Sequence, residues 1–195
     1  FNRGRLARAF DKYPDCIRFF NMVLNDFPKS RYAIPALYNR GLCHESASDP
    51  NAAIESFERY VQLSDEPEDQ MDGLFRLLHN LIEAERNSRA LVLSQRLLES
   101  ELSDIDRAEV LTKQGAALYS LAKHDQSKTV LFKAVRLAKK ATDGLVHKNA
   151  VLAEAEYRIG LLFAAKMRSQ KLVLPLKHMK RSLNQKMTAF RKSQH

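Results

Sequence analysis

A repeat of 37 residues constrains this chain more than any other feature of its sequence. Steps of 37 connect four positions, three of them glycine, and these are Gly4, Gly41, Leu78 and Gly115. Twelve residues after each comes a small residue: Cys16, Ala53, Ala90 and Ser127. Four residues further on stand Phe20, Phe57, Ser94 and Leu131. Recurrence at a fixed spacing is typical of stacked-repeat proteins, whose function is expected on a surface rather than in a catalytic pocket.

Each repeat is predicted to be a pair of antiparallel helices. The chain has only six glycines and six prolines, and helix-favouring residues dominate the stretches between them. The segments DKYPD, SASDP, AERNS and AKHDQ place turn and N-cap residues in the middle of each unit. A glycine opposite a small residue lets the two helices approach closely. The third copy departs from the pattern at Leu78 and Ser94, so we expect its helices to lie further apart.

The spacing of glycine, small residue, aromatic residue and closing proline resembles the tetratricopeptide repeat, whose usual unit is about 34 residues. Gly41, Ala53, Phe57 and Tyr60 match that motif, and Pro28 closes the first unit. The three additional residues fall in the link between units. This longer link, in VLNDFPKSRYAIPALYNRG, resembles repeats of bacterial envelope proteins, notably the lipoprotein of the outer-membrane β-barrel assembly machinery and the periplasmic coordinator of the Tol system. The resemblance implies a right-handed α-solenoid.

The repeat becomes irregular after residue 140. AEAEYRIGLLFAAK places Gly160 late in an Ala-rich helix, 45 residues after Gly115. Beyond it the sequence predicts a long amphipathic helix that starts near Pro175, with an apolar face of Leu176, Met179, Leu183, Met187 and Phe190. Its basic face comprises Lys177, Lys180, Arg181, Arg191 and Lys192. We therefore predict a solenoid over 1–168, with units near 1–30, 31–67, 68–104, 105–140 and 150–168, and a basic amphipathic or capping helix over 169–195 that continues in a longer protein.

Positive charge is concentrated at the C-terminal end. The net charge of +9 divides into −2 for residues 1–100 (13 Lys/Arg, 15 Asp/Glu), +1 for 101–156 (9 and 8) and +10 for 157–195 (10 and none). The basic helix is interpreted as a cap on the stack, as a surface for an acidic partner protein, or as a contact for anionic lipid or nucleic acid. Self-association through this helix is a further interpretation.

Nothing in the sequence indicates an enzyme, a cofactor or a metal site. It has no phosphate-binding glycine loop, no HExxH pair, no calcium loop and no Cys/His cluster. The adjacent pair His44 and Glu45 diverges by about 100° on a helix, so the two side chains do not converge on one metal ion. Cys16 and Cys43 lie on apolar helix faces, where buried free thiols are predicted and a disulfide is the alternative.

Candidate binding residues follow from the resemblance, because ligands of tetratricopeptide proteins lie on the concave side lined by the first helix of each unit. Carried over to this chain, the groove positions are Tyr38, Leu42, Phe75, Arg76, His79, Thr112, Lys113, Tyr119, Tyr157 and Arg158. Some of these aromatic residues have an alternative role in packing against the next unit. Of the residues with which chaperone-binding relatives grip a terminal carboxylate, only Asn39 has a counterpart, so no carboxylate clamp is expected.

The sequence thus predicts a non-enzymatic scaffold or adaptor that binds a partner protein or peptide through its groove, its basic C-terminal face, or both. The resemblance favours a periplasmic, envelope-associated protein. A cytoplasmic peptide-sensing module is the first alternative, and a module that binds polyanions through residues 166–195 is the second. No apolar run approaches the roughly 18 residues that a membrane span requires.

Overall fold

The computed structural model describes residues 1–142 and 146–168, which form an all-α array of successive helix pairs. The helices are α1 (Asn2–Ala9), α2 (Tyr13–Asp26), α3 (Ala33–Ser46), α4 (Pro50–Leu63), α5 (Pro67–Glu83), α6 (Asn87–Leu98), α7 (Asp104–Ser120), α8 (His124–Lys140) and α9 over 146–168. The described ranges contain no β-strand. The predicted all-α repeat fold is confirmed, whereas the helix predicted for 169–195 lies outside the described residues.

The pairs stack in chain order. Within each unit the two helices contact each other, and the second helix then packs on the first helix of the next unit, as α4 does on α5. The largest apolar cluster spans the second, third and fourth units and includes Phe57, Leu78, Leu81 and Leu97. Because each unit leans only on its neighbours, the core is a continuous strip along the stack.

The repeated glycines lie under a large side chain of the paired helix. A Cβ atom on Gly41 would lie 2.7 Å from the ring of Phe57, and one on Gly4 would lie 2.8 Å from the ring of Phe20. At Gly115 the nearest atom, from Leu131, would be 2.5 Å away. The Ser127 hydroxyl also donates a 2.7 Å hydrogen bond to the Gly115 carbonyl. These distances explain why no side chain is present at these positions.

The turn inside each unit has the same backbone geometry in all four units. The residues with a positive φ are Asp11 (55°), Ser48 (58°), Glu85 (56°) and Ala122 (58°), which recur at the 37-residue period. The amide after each donates to a carbonyl five residues earlier, as Asp49 does to His44 at 2.9 Å. This is the hydrogen bond of a Schellman motif, which ends a helix with one left-handed residue. None of the four is glycine, so each turn holds a side chain in a costly conformation.

The third unit is built differently, as its sequence predicts. With Leu78 and Ser94 at the glycine and aromatic positions, α5 and α6 make the least extensive contact of the four pairs. Helix α5 instead packs closely on α4, because a Cβ atom on Gly73 would lie 2.7 Å from Val61 and 2.8 Å from Tyr60. The close approach has thus moved from within the unit to the boundary before it.

The prediction of free thiols at Cys16 and Cys43 is wrong. The two residues form a disulfide between α2 and α3, with their Cα atoms 6.2 Å apart. That separation lies within the range of about 4.4–6.8 Å that disulfides require. Stacking brings the second helix of one unit against the first helix of the next, and it places both buried sulfur atoms at that boundary.

Candidate functional site

The first helices of the second to fifth units line a cleft of about 380 Å³. Its walls come from α3, α5, α7 and the start of α9, and its lining residues are Glu45, Asp72, Phe75, Arg76, His79, Asp106, Glu109 and His147. Four carboxylates face one arginine and two histidines. The cleft is therefore polar and acidic, with Phe75 as its one aromatic hydrocarbon surface.

Charged residues recur on these first helices at fixed distances from the glycine position. Six residues before it stand Asp72, Glu109 and Glu154, and two residues before it stand Arg76, Lys113 and Arg158. Positions four apart on a helix lie one above the other on the same face. The concave surface therefore carries a row of acids beside a row of bases.

Ion pairs between these rows and their neighbours link successive units. Arg76 Nη1 lies 3.1 Å from Glu45 Oε1, and Asn80 Nδ2 donates to the other Glu45 oxygen at 3.0 Å. Further along, Lys113 Nζ lies 2.8 Å from Glu154 Oε2. Opposite charges at these distances hold the first helices of neighbouring units in register.

Two further contacts complete the concave surface at α9. His147 Nε2 lies 2.7 Å from Glu109 Oε2, and Arg158 donates to Glu154 Oε1 through Nε at 3.0 Å and Nη2 at 2.8 Å. Glu154 therefore forms ion pairs with two basic side chains, one from α7 and one from its own helix.

Burial is the largest single influence on the pKa values along this surface, but at Glu154 and Arg76 the nearby charges together decide the direction of the shift. Burial alone raises the pKa of the Glu154 carboxyl, but the positive charges of Lys113 and Arg158 outweigh it, so that the pKa is lowered. Burial alone lowers the pKa of Arg76, and Glu45 and Tyr38 reverse that effect. For the Tyr38 hydroxyl, burial and a hydrogen bond with Asp72 raise the pKa. At Glu154 and Arg76 the net pKa shift therefore favours the charged form.

The structure brings three of the predicted groove residues together. Phe75, Arg76 and His79 follow one another along the cleft wall on α5. Lys113 and Arg158 belong to the same row of bases, but both are held by Glu154, and Lys113 is only 9% exposed. These two contribute to the stacking of units more than to a free surface.

Three other predicted groove residues have packing roles, although the Tyr38 hydroxyl reaches the cleft at Asp72. The Tyr38 ring packs on Phe57 and Tyr60 of its own unit, with centroids 5.7 and 5.0 Å apart, and Leu42 packs on the main apolar cluster. Thr112 is fully buried, and its hydroxyl donates to the Ala108 carbonyl.

Two aromatic residues toward the end of the described chain also lie away from the cleft. Tyr119 contacts His124 at the start of α8, and Tyr157 is 66% exposed. The predicted basic face at Lys177, Lys180, Arg181, Arg191 and Lys192 lies outside the described residues.

Sequence reasoning missed three acidic residues of the cleft, which are Asp72, Asp106 and Glu109. Asp72 and Glu109 stand 37 residues apart, so the repeat itself contained the signal. Asp106 has the same signal, because Asp69 stands 37 residues before it, whereas His147 has none. The described residues include no group of three or more His, Cys, Asp or Glu side chains arranged to hold a metal ion. None of the described helices is long and apolar enough to span a membrane.

Stacked helix pairs with a polar concave cleft define a helical-repeat protein of the kind that presents an extended surface to other macromolecules. Residues 35–64, which comprise most of α3 and all of α4, match the family model described as "Tetratricopeptide repeat". The chain therefore contains a tetratricopeptide repeat over this segment, as its residue spacing predicts.

Solved structures show the same fold. A structure described as "Crystal structure of MamA protein" aligns with a TM-score of 0.57 at 20% identity, over 87% of this chain and 91% of the other. A second MamA structure aligns with a TM-score of 0.55 at 20% identity, over 86% of this chain and 96% of the other. A structure described as "MamA RS-1 ArsTM double mutant" aligns with a TM-score of 0.55 at 15% identity, over 87% of this chain and 97% of the other. No match was found among the curated proteins.

Proposed function

We propose that this chain is a non-enzymatic scaffold whose concave cleft binds a basic segment of a partner protein. The observation that carries the proposal is the composition of the cleft, in which four carboxylates outnumber one arginine around the Phe75 ring. Tetratricopeptide repeats are interaction modules, and the cleft lies on the surface that the stacked first helices share. A partner lysine or arginine side chain fits it, because its alkyl part contacts the ring while its charge meets the carboxylates.

Within the cleft, Asp72 and Asp106 are the carboxylates best placed to receive such a cation. Glu45 is engaged by Arg76 and Asn80, and Glu109 is engaged by His147. Asp72 and Asp106 each accept a hydrogen bond from a hydroxyl group, that of Tyr38 and that of Ser103 at 2.6 Å. The engaged pairs keep the first helices in place around these two groups.

A panel of fluorescein-labelled peptides tests this proposal. Peptides of equal length carrying Lys and Arg, or Asp and Glu, at the same positions are titrated with the whole chain, and binding is followed by fluorescence anisotropy. The basic peptides should bind more tightly. Asp72→Asn combined with Phe75→Ala should weaken their binding about tenfold or more.

The matched control combines Glu55→Gln with Phe132→Ala. Like the test pair, it removes one carboxylate charge and one phenyl ring, but both lie outside the cleft. Glu55 is exposed on α4, and Phe132 is 44% exposed on α8. This control should bind as the unaltered chain does. Equal binding of basic and acidic peptides, or equal losses in the two double variants, would show that the cleft is not the binding surface.

We further propose an oxidising compartment, with the bacterial periplasm favoured. The Cys16–Cys43 disulfide supports this, since buried disulfides persist in oxidising compartments and are rare in the cytosol. The resemblance of the long inter-unit link to envelope proteins points the same way. Alkylation of free thiols in lysates of the producing organism, followed by mass spectrometry, tests it. Two alkylated cysteines without added reductant would favour the alternative, a cytoplasmic peptide sensor that uses the same cleft.

The second alternative is a module that binds polyanions through the C-terminal basic residues, and it predicts a different dependence on salt. Binding to duplex DNA or to anionic lipid vesicles should then fall steeply with ionic strength and depend on Lys177, Lys180 and Arg181. Acidic partner proteins would behave in the same way toward these residues. A basic peptide bound in the cleft should instead be insensitive to their replacement.

A further inference from the structure

One face of α9 is not covered by any side chain of the described residues at Gly160, unlike the corresponding faces at Gly4, Gly41 and Gly115. A Cβ atom on Gly160 would meet no atom of the described residues within 4 Å, whereas on Gly41 it would meet Phe57 at 2.7 Å and on Gly115 Leu131 at 2.5 Å. In those units the covering side chain comes from the second helix of the pair. Gly160 therefore lies on a helix face that no side chain of the described residues covers.

The neighbours of Gly160 show the same difference. In α7 the corresponding face is buried: Leu111 is 3% exposed, Thr112 0% and Leu118 4%. Their counterparts 45 residues later are Glu156, Tyr157 and Phe163, all exposed, and Tyr157 reaches 66% and Phe163 48%. Apolar side chains on an uncovered helix face mark an interaction surface.

A cleft of about 360 Å³ runs beside this face, between α9 and the start of α8. Ile159, Leu162, Phe163 and Ala165 form its apolar floor, and Lys128 and Lys166 are at its rim. The Lys128 ammonium lies 5.7 Å from the centroid of the Phe163 ring. Asp125 is the one carboxylate among the lining residues, so the rim is basic overall.

We propose that this surface, defined by Gly160, Phe163 and the cleft beside them, binds an amphipathic helix of a partner protein whose apolar face is flanked by acidic residues. It corresponds to the face that the second helix of the pair covers at Gly41 and Gly115. Its charge selects acidic flanks, because a basic rim attracts carboxylates and repels cations. This surface lies apart from the concave cleft, and its occupant is independent of the basic segment proposed there.

Two observations argue against residues 169–195 as the occupant. They carry seven Lys/Arg and no Asp/Glu, so their charge matches that of the rim. In addition, α9 continues as helix through residue 168, although position 167 corresponds to the left-handed turn residues Asp11, Ser48, Glu85 and Ala122. The chain therefore does not turn back where the other units do.

The test uses three fluorescein-labelled peptides titrated with the whole chain. One has leucines at helical spacing with glutamate flanks, the second has the same leucines with lysine flanks, and the third is a scrambled version of the first. The acidic amphipathic peptide should bind about tenfold more tightly than the other two. Phe163→Ala should reduce that binding about tenfold, and Lys128→Gln should reduce the preference for acidic over basic flanks.

Matched controls exist on α8 for both substitutions. Phe132→Ala removes a phenylalanine of similar exposure (44%), and Lys133→Gln removes an exposed lysine, and neither residue lines the cleft. Both control variants should bind as the unaltered chain does. Equal binding of the acidic and basic peptides, or an effect of Phe132→Ala as large as that of Phe163→Ala, overturns the proposal.

Two further readouts distinguish other occupants. Competition by a synthetic peptide of residues 169–195 would assign the surface to the chain's own C-terminal segment. Self-association in sedimentation equilibrium that Phe163→Ala abolishes would assign it to a second copy. Either result overturns the proposal, and neither affects the concave cleft, which is tested with different peptides and with substitutions at Asp72 and Phe75.

Discussion

Replacing Gly41 by alanine should destabilise the second helix pair. The added Cβ atom would lie 2.7 Å from two ring carbons of Phe57, well inside the roughly 3.5–4.0 Å of an ordinary carbon–carbon contact. Phe57 is fully buried and is packed against Tyr38, so its ring has no free space to move into. Overpacking costs about 1–3 kcal/mol, and alanine regains about 1 kcal/mol in helix propensity. We expect a net loss of up to about 2 kcal/mol.

Urea unfolding followed by far-ultraviolet circular dichroism measures this loss, and hydrogen exchange should locate it in α3 and α4. The control is Gly160→Ala, where the same atom meets nothing within 4 Å in the described residues. There only the gain in propensity remains, so stability should rise by up to about 1 kcal/mol. If Gly41→Ala stabilised the chain as much as Gly160→Ala, the close approach of the paired helices would not be what excludes a side chain at this position.

Three other predictions concern single side chains. Ala122→Gly should raise the free energy of unfolding by about 1 kcal/mol, because glycine tolerates the left-handed conformation that Ala122 adopts; an unchanged urea midpoint would contradict this. Ser127→Ala should lower it by about 1 kcal/mol through loss of the hydrogen bond to the Gly115 carbonyl, whereas the exposed Ser88→Ala should change it little. The lowered pKa of Glu154 contributes stability that is present above the unfolded-state pKa and is lost as the pH falls through the folded-state pKa, so Glu154→Gln should destabilise the chain near neutral pH but not in acid. A difference that stays constant across an unfolding series in pH would refute the ion-pair explanation.

Most of the fold could be predicted because the packing contacts recur in sequence. Gly41 and Phe57 are sixteen residues apart, and so are Gly4 and Phe20, because in each unit the same two positions meet across the helix pair. The looser third pair also follows from its sequence. Gly73 could not be interpreted in this way, since its close contact is with α4 of the preceding unit and depends on how units stack.

The candidate site was less predictable because small errors in the assigned face move a side chain from surface to core. Adjacent helix residues diverge by about 100°. Thr112, three residues before the glycine position, is fully buried, whereas the next residue, Lys113, pairs with Glu154 on the concave side. Phe75, which stands at the same position as Thr112 in the third unit, lines the cleft instead. The face of a residue therefore depends on its unit as well as on its position, and resemblance to a family with a shorter unit does not resolve it.

The disulfide was not predictable from the two cysteine positions alone. Cys16 and Cys43 are 27 residues apart and belong to different units. Both lie on buried faces, which is compatible with free thiols as well as with a bond. Only the geometry of the boundary between α2 and α3 brings the two sulfur atoms together.

That boundary bond has a mechanical consequence. A force applied to the chain ends is carried from α2 to α3 through the disulfide, so the 27-residue segment it closes contributes nothing to the extension of the oxidised protein. At about 3.3–3.6 Å per extended residue, roughly 90–95 Å of contour length is hidden until the bond is reduced. The first two units should therefore separate last from each other under load.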